Sequence, residues 1–481
     1  MPASPELLDP IALLADLPLE ESGIHQLDPD GVSVRAYPYP YLAALSISND
    51  LDSMLIECFE SWHAFVNGRG PTEDGDGLGL EIGDSFWMWT PHNDGLLALH
   101  WHYPDDEPRR DSPRVGRIVE LGRLGWLDTL HSLGNWRTEP DYRTPNAHRD
   151  QAKYALDRLD RLGIKPTSYV NHSGSVSNVG GPWGWYQHSD DPDHPFYCMD
   201  LLKEFGLKYF WLDSCINFEK FGDHLQYPSR HHLERAIHQF SWNHWLRRRE
   251  YDGTVSNLEF PGDSEAHRRL MTSFFNKTLI RVNGRDGKPL LAFKRHRGFD
   301  QPIMSTFCNQ VTESDLDALE AMRGVAIIYQ HFGMSGPRGR SPALSNLKRV
   351  SLTSPAFDEH ARARLQEIAE RFRAGRLWVA LQSRILNYLW LRETLRYWVA
   401  RDEAKWVVVI EEIGCDATGG PRRLEEGDLN GLSFSVPSDA PEIVVAIQGR
   451  NATLPVRRAP DLGWPGRDAV YLPWQQLEWP T

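Results

Sequence analysis

Between residues 40 and 335, short apolar runs alternate with polar, helix-compatible stretches, which is the pattern of parallel strands joined by crossover helices. Seven runs read as strands: Leu42 to Ser48, Leu78 to Ile82 with Phe86 to Trp89 following, Trp126 to Leu130, Thr167 to Val170, Lys208 to Leu212, Leu290 to Lys294, and Val325 to Tyr329. Several run straight into polar or ionisable clusters: Asn49-Asp50-Leu51-Asp52, His131-Ser132, Asn171-His172-Ser173, Asp213-Ser214, Arg295-His296 and Gln330-His331. In a (β/α) barrel the chemistry is assembled at the carboxyl ends of the strands. The recurrence therefore predicts an α/β protein with a barrel of about seven strands and a site built where those strands end.

The period changes further on. A helix is expected over Pro355 to Ala374, capped by Ser354 and stopped by Gly375, and a second from Leu377 to about Arg401. From Lys405 the pattern becomes short alternating strands (WVVVIEEI, LSFSV, EIVVAIQG, AVYLPW) between Gly, Pro and Asp turns, so about 80 residues should form a small all-β sandwich. Residues 1–30 hold seven acids and no Lys or Arg, with Leu7, Leu8, Ile11, Leu13, Leu14 and Leu17 spaced for a short amphipathic helix. The expected organisation is an acidic arm over 1–39, a barrel with helical extension over 40–402, and the sandwich over 403–481.

Composition narrows the functions. The chain has 481 residues with 52 Lys and Arg against 66 Asp and Glu, a net charge of −14, which argues against nucleic acid or an anionic membrane surface as main partner. No apolar run approaches the ~20 residues of a membrane span, and the first residues lack a basic start and a small-residue cleavage site, so a cytoplasmic protein is expected. The five cysteines are widely spaced and form no CxxC, which points to buried thiols. Aromatic residues change the picture: 18 Trp, 16 Tyr and 19 Phe offer broad apolar faces, and Trp adds an N–H donor, a combination suited to carbohydrate and equally common in cores.

Asp50 and Asp52, two apart on an extended segment, face one side, so one can hold a metal while the other takes a proton; capping of the next helix is the competing reading. His131, His172 and His331 each follow an apolar run. A neutral imidazole at a strand end is a natural zinc ligand, whereas a lone His is more often a hydrogen-bonded core residue. Three such His beside an Asp pair are hard to explain as independent packing choices.

This order of residues resembles the polysaccharide deacetylase superfamily of nodulation-protein type over about residues 40 to 335. Asp50 and Asp52 match its Asp pair with Leu51 inserted; His131-Ser132 matches its second motif, with Asn135 where a second His would stand. Asp213 matches the strand-ending Asp, and His331 the late strand-ending His. The Arg-Pro-Pro-Tyr motif is absent, and Asn171-His172-Ser173-Gly174 stands in its place. The resemblance implies a distorted (β/α) barrel and a divalent metal, zinc or similar, held by Asp52 and His131; His172 or Asn135 must complete the set, and His172 is the favoured third ligand. It also implies Asp50 as base, His331 as acid to the leaving amine, and Asp213 as an orienting group. Trp87, Trp89, Asn135, Trp136, Trp183, Trp185, Trp211 and Arg295 are candidates for substrate binding. His100-Trp101-His102 is a fallback source of imidazoles.

The implied function is a carbohydrate-active hydrolase, most concretely a metal-dependent deacetylase of an N-acetylated sugar or glycan intermediate in surface-polysaccharide metabolism. Two alternatives stand beside it: a glycosidase using a carboxylate pair drawn from Asp50, Asp52, Glu81, Asp84, Asp128 and Asp213, and an inactive barrel that binds a glycan or a glycan-assembly partner protein. The segment Tyr186 to His194 (YQHSDDPDH) is rich in ligand types but reads as a lead into the next helix, and Arg338-Gly339-Arg340 as a solvated basic loop.

Overall fold

The computed structural model describes residues 31–51, 54–89, 98–100, 111–134, 149–172, 177–180, 188–216, 278–296, 302–321, 323–335, 348–349, 358–401, 403–413, 422, 424–450 and 452–480. The expectations for Asp52, Asn135, Trp136, Trp183, Trp185, the Arg338 loop, Ser354 and residues 1–30 lie outside the described residues.

Seven strands form the barrel: β1 (Ala43–Asp50), β2 (Gly83–Trp89), β3 (Thr129–His131), β4 (Ser168–Val170), β5 (Tyr209–Ile216), β6 (Pro289–His296) and β7 (Val325–Gln330). Neighbours in the sheet run β1-β7-β6-β5-β4-β3-β2, and β2 pairs again with β1, which closes a parallel barrel in sequence order. All seven coincide with apolar runs of the sequence. Every residue of β1 and β2 is buried, as expected of strands covered on both faces, where alternation gives way to continuous burial. The run Leu78 to Ile82, although apolar and buried, is not a strand; it leads into β2 at Gly83.

Crossover helices carry the 3.6-residue stripe that their strands lack. They include α1 (Ile56–Val66), α2 (Val115–Arg123), α3 (Arg149–Leu162), α4 (Met199–Phe205) and α5 (Glu313–Ala321). In α3 the buried positions Ala152, Ala155, Leu156 and Leu159 repeat at three and four residues while Lys153, Asp157 and Asp160 face water. Helix α2 lies so close to the chain after α3 that a Cβ at Gly122 would sit 2.7 Å from the Ile164 side chain.

Beyond β7 come α6 (Glu359–Arg373), β8 (Leu377–Val379), α7 (Gln382–Thr394) and β9 (Leu395–Arg401). The cap of α6 is Asp358, whose carboxylate accepts from the backbone N–H of His360 and Ala361 at 3.0 and 3.3 Å. The single long helix expected from Leu377 is instead a strand, a helix and a strand. Its first three residues, Leu-Trp-Val, pair in parallel with Ala43–Leu45 of β1, and in Leu395–Arg401 the less exposed Leu395, Tyr397 and Val399 alternate with the exposed Arg396, Trp398 and Ala400.

The C-terminal strands are β10 (Lys405–Ile413), β11 (Ser433–Pro437), β12 (Glu442–Ile447), β13 (Arg457–Pro460) and β14 (Arg467–Tyr471). They form one sheet in the order β9-β10-β12 and another in which Ser33–Val34 joins β11, β14 and β13. One shared core, including Val408, Ile410, Phe434, Val436, Val445 and Val470, holds the two sheets as a small sandwich.

By internal packing the chain divides into two compact units, one of residues 1–22, 50–56 and 84–301, the other of residues 23–49, 57–83 and 302–481. Both are discontinuous in sequence.

Candidate functional site

In the first unit, the carboxyl end of β1 delivers Asp50, which is 2% exposed. Arg295, the penultimate residue of β6, grips both its oxygens: Nη1 donates to Oδ2 at 3.0 Å and Nη2 to Oδ1 at 2.7 Å. Ser85 of β2 adds a third donor, its Oγ bonding Asp50 Oδ1 at 2.7 Å. A bidentate guanidinium with a hydroxyl holds a carboxylate in its charged form and fixes its plane. Arg295 in turn lies 4.7 Å over the ring of Trp211 in β5, where the aromatic face favours the cation. The register irregularity of β6 between Phe293 and Arg295 falls beside this guanidinium.

His131 is the last residue of β3, with Nε2 3.9 Å from Asp50 Oδ2, too long for a hydrogen bond and within ion-pair distance when the imidazole is protonated. The next residue, Ser132, has a positive φ of 46°, an uncommon conformation for a residue with a Cβ. Its Oγ donates to the carbonyl of Gly134 at 3.0 Å, and its N–H donates to the Val170 carbonyl at 2.7 Å. The chain thus leaves the strand sharply, and a Cβ at Gly134 would lie 3.2 Å from the Trp89 ring.

His172 stands two residues beyond the end of β4, and the structure brings it to His131: the rings meet edge to face with centroids 4.7 Å apart. Trp87 closes a triangle, its ring 5.3 Å from His131 and 4.9 Å from His172. Two of the three expected metal ligands, the expected base and one expected substrate-binding indole therefore form one cluster, drawn from the carboxyl-terminal halves or ends of β1 to β4. Imidazole pairs suit zinc and similar divalent ions, so the donor chemistry fits as far as it is described. Among the described residues no group of three or more His, Cys, Asp and Glu side chains is arranged to hold a metal.

The other described candidates include Trp89, Trp211, Asp213 and His331. Both indoles are buried, Trp89 beside Tyr154 and Trp211 beneath the Arg295 guanidinium. Asp213 belongs to β5. His331 belongs to the second unit, where its Nδ1 lies 3.0 Å from the Pro302 carbonyl and its Nε2 3.2 Å from the Tyr329 hydroxyl. A carbonyl only accepts, so Nδ1 carries a proton at that contact. Glu81, also in the second unit, is buried beside Arg384 and accepts from the Leu477 N–H at 2.6 Å; burial raises its pKa despite Arg384.

Sequence reasoning missed Ser85, and it read Arg295 as a substrate contact and not as the clamp of Asp50. The available signal was the placement of Lys294-Arg295-His296, a basic strand end on a barrel whose opening strand end is acidic. A second cluster lies on the segment flagged as ligand-rich. The rings of His188 and His194 stack at 3.8 Å, and Asp191 Oδ2 lies 3.1 Å from His188 Nδ1. Burial, reinforced by the stacked His194, brings the pKa of His188 down to about 4. Compared with protein-family models, curated proteins and solved structures, the chain gives no match.

Proposed function

We propose that the protein is a carbohydrate-active hydrolase, a metal-dependent deacetylase of an N-acetylated sugar similar to the polysaccharide deacetylases of nodulation-protein type. The observation that carries the reading is the convergence of Asp50, His131 and His172 at neighbouring strand ends of one barrel. In this reading His131 and His172 would hold a divalent ion, with Asp52 as the third ligand. Such an ion, when bound, would lower the pKa of water from ~15.7 to ~7 and so make it a nucleophile near neutral pH. Asp50, kept charged and oriented by Arg295 and Ser85, accepts the proton. Trp87 forms an apolar wall that limits water at the two imidazoles.

The test is elemental analysis of protein purified without chelator, for wild type, His131→Ala and His172→Ala, followed by acetate release from N-acetylated sugars. Near-stoichiometric zinc, cobalt, nickel or manganese that is lost in both variants, with acetate release abolished by Asp50→Asn, is the expected result. No metal in folded wild type even after reconstitution would overturn the reading and leave Asp50–Arg295 as a buried structural ion pair.

A further inference from the structure

We propose that Asn171 and Asn178 are positioning residues that set the imidazole of His172 in the site, a role that rests on the reading of His172 as a metal-holding group. The ladder between β3 and β4 ends at the pair His131 and Val170, so the main chain of His172 lies beyond strand pairing. Asn178 satisfies it on both sides, its Oδ1 accepting from the His172 N–H at 2.9 Å and its Nδ2 donating to the His172 carbonyl at 3.1 Å. Asn171 makes the same double bond to Val179: its Oδ1 accepts from the Val179 N–H at 2.9 Å and its Nδ2 donates to the Val179 carbonyl at 2.9 Å.

The two clips are nested, residue 171 with 179 and residue 172 with 178, and their amides come from opposite sides of the pair. Together they act as two rungs of an antiparallel ladder in which side-chain amides replace peptide groups. A carboxamide is the side-chain group that offers an acceptor and a donor in one plane; an aspartate would bond the N–H and repel the carbonyl. Asn171 and Asn178 are 2% and 0% exposed, so the bonds form away from competing water. The far side is anchored as well. The Asn178 carbonyl accepts from the Ser189 N–H at 3.1 Å, and the Gly180 N–H donates to Asp190 Oδ1 at 2.8 Å. Asp190 also accepts from the Arg285 N–H at 3.1 Å, which ties the clip to the turn before β6. His131 is placed by strand register; His172 is placed by these amides, and its ring contacts with His131 and Trp87 depend on them.

The test uses full-length protein labelled with 13C at histidine Cε1, the His172 signal being identified by its loss in His172→Ala. In Asn178→Ala the nuclear Overhauser contacts of His172 with Trp87 and His131 should vanish while the Trp87–His131 contact and the cooperative thermal transition persist. Zinc affinity should fall on the order of 10- to 100-fold. Retention of the His172 contacts with wild-type zinc affinity would overturn the proposal. Should Asn178→Ala fail to fold, amide exchange of wild-type His172 decides: strong protection supports the clip, and exchange at the rate of an open loop overturns it. Absence of zinc binding by wild type would sink the deacetylase reading alone, since the contacts and the exchange are read without metal.

Discussion

Asp50 is the residue on which the site turns, and its neighbours define what a substitution does. Both carboxylate oxygens are engaged by Arg295, which is fully buried, so removing either charge strands the other in a dry environment. Arg295→Met should therefore destabilise the protein by about 3–5 kcal/mol, whereas Asp50→Asn with Arg295→Met, which leaves no buried charge at the pair, should recover part of that loss. Urea denaturation of wild type, the single variant and the double variant checks this; a double variant no more stable than Arg295→Met would show that the charge is compensated elsewhere. The partners explain what was legible here. Asp50, His131 and His172 could be read because each ends a strand run or follows one within two residues. The clamp could not, because Arg295 is 245 residues from Asp50 in the chain and nothing local to either names the other. Tryptophans were equally opaque, since composition is the same whether an indole lines a sugar site or, like Trp89, fills a core.

At the scale of elements, the strands of the barrel were legible because parallel strands covered on both faces are continuous apolar runs. The stretch after Leu377 was not, because Leu, Trp, Val, Tyr and Ile serve a buried strand and a buried helix alike, and pairing with β1 decides between them. The segment after β4 shows the same limit: its ligand-type residues were visible, but their pairing was set by folding. There His188 stacks on His194 and faces Asp191, while Arg285 lies 3.3 Å from Asp191. Its folded pKa of about 4 lies below the ordinary 6.5, so between these values the unfolded chain binds a proton that the native state does not. Stability contributed by neutral His188 is thus full at neutral pH and lost as pH falls through 6.5 toward 4, by about 3 kcal/mol at most. His188→Gln should flatten the stability-against-pH curve in that window. An unchanged slope in chemical denaturation at matched pH values would place the titration on other groups.

At the scale of the whole molecule, sequence continuity and folding unit part company. The second unit is assembled from residues 23–49, 57–83 and 302–481. Its β7 and β8 both pair with β1, through Val325 to Gln330 on Ala44 to Asn49 and through Leu377 to Val379 on Ala43 to Leu45. The sandwich likewise takes Ser33–Val34 as a strand and a buried pair, Arg35 Nε to Asp461 Oδ2 at 2.8 Å, from the same early segment. Buried Glu81, from the last early piece, sits against Arg384. A fragment of residues 302–481 would therefore keep its apolar strands but lose the strand that both pair with, the counter-charge of Asp461 and that of Arg384. Unpaired backbone groups and uncompensated buried charges each cost several kcal/mol, on the order of the whole stability of a domain. The fragment should show no cooperative thermal transition and should bind a dye that reports exposed apolar surface, and supplying residues 23–83 in trans should restore part of the transition. If 302–481 alone melts sharply with protected amides in Val325–Gln330, the early strand is an addition to a core that forms without it, and the pairings of β1 are consequences of that core and not its cause.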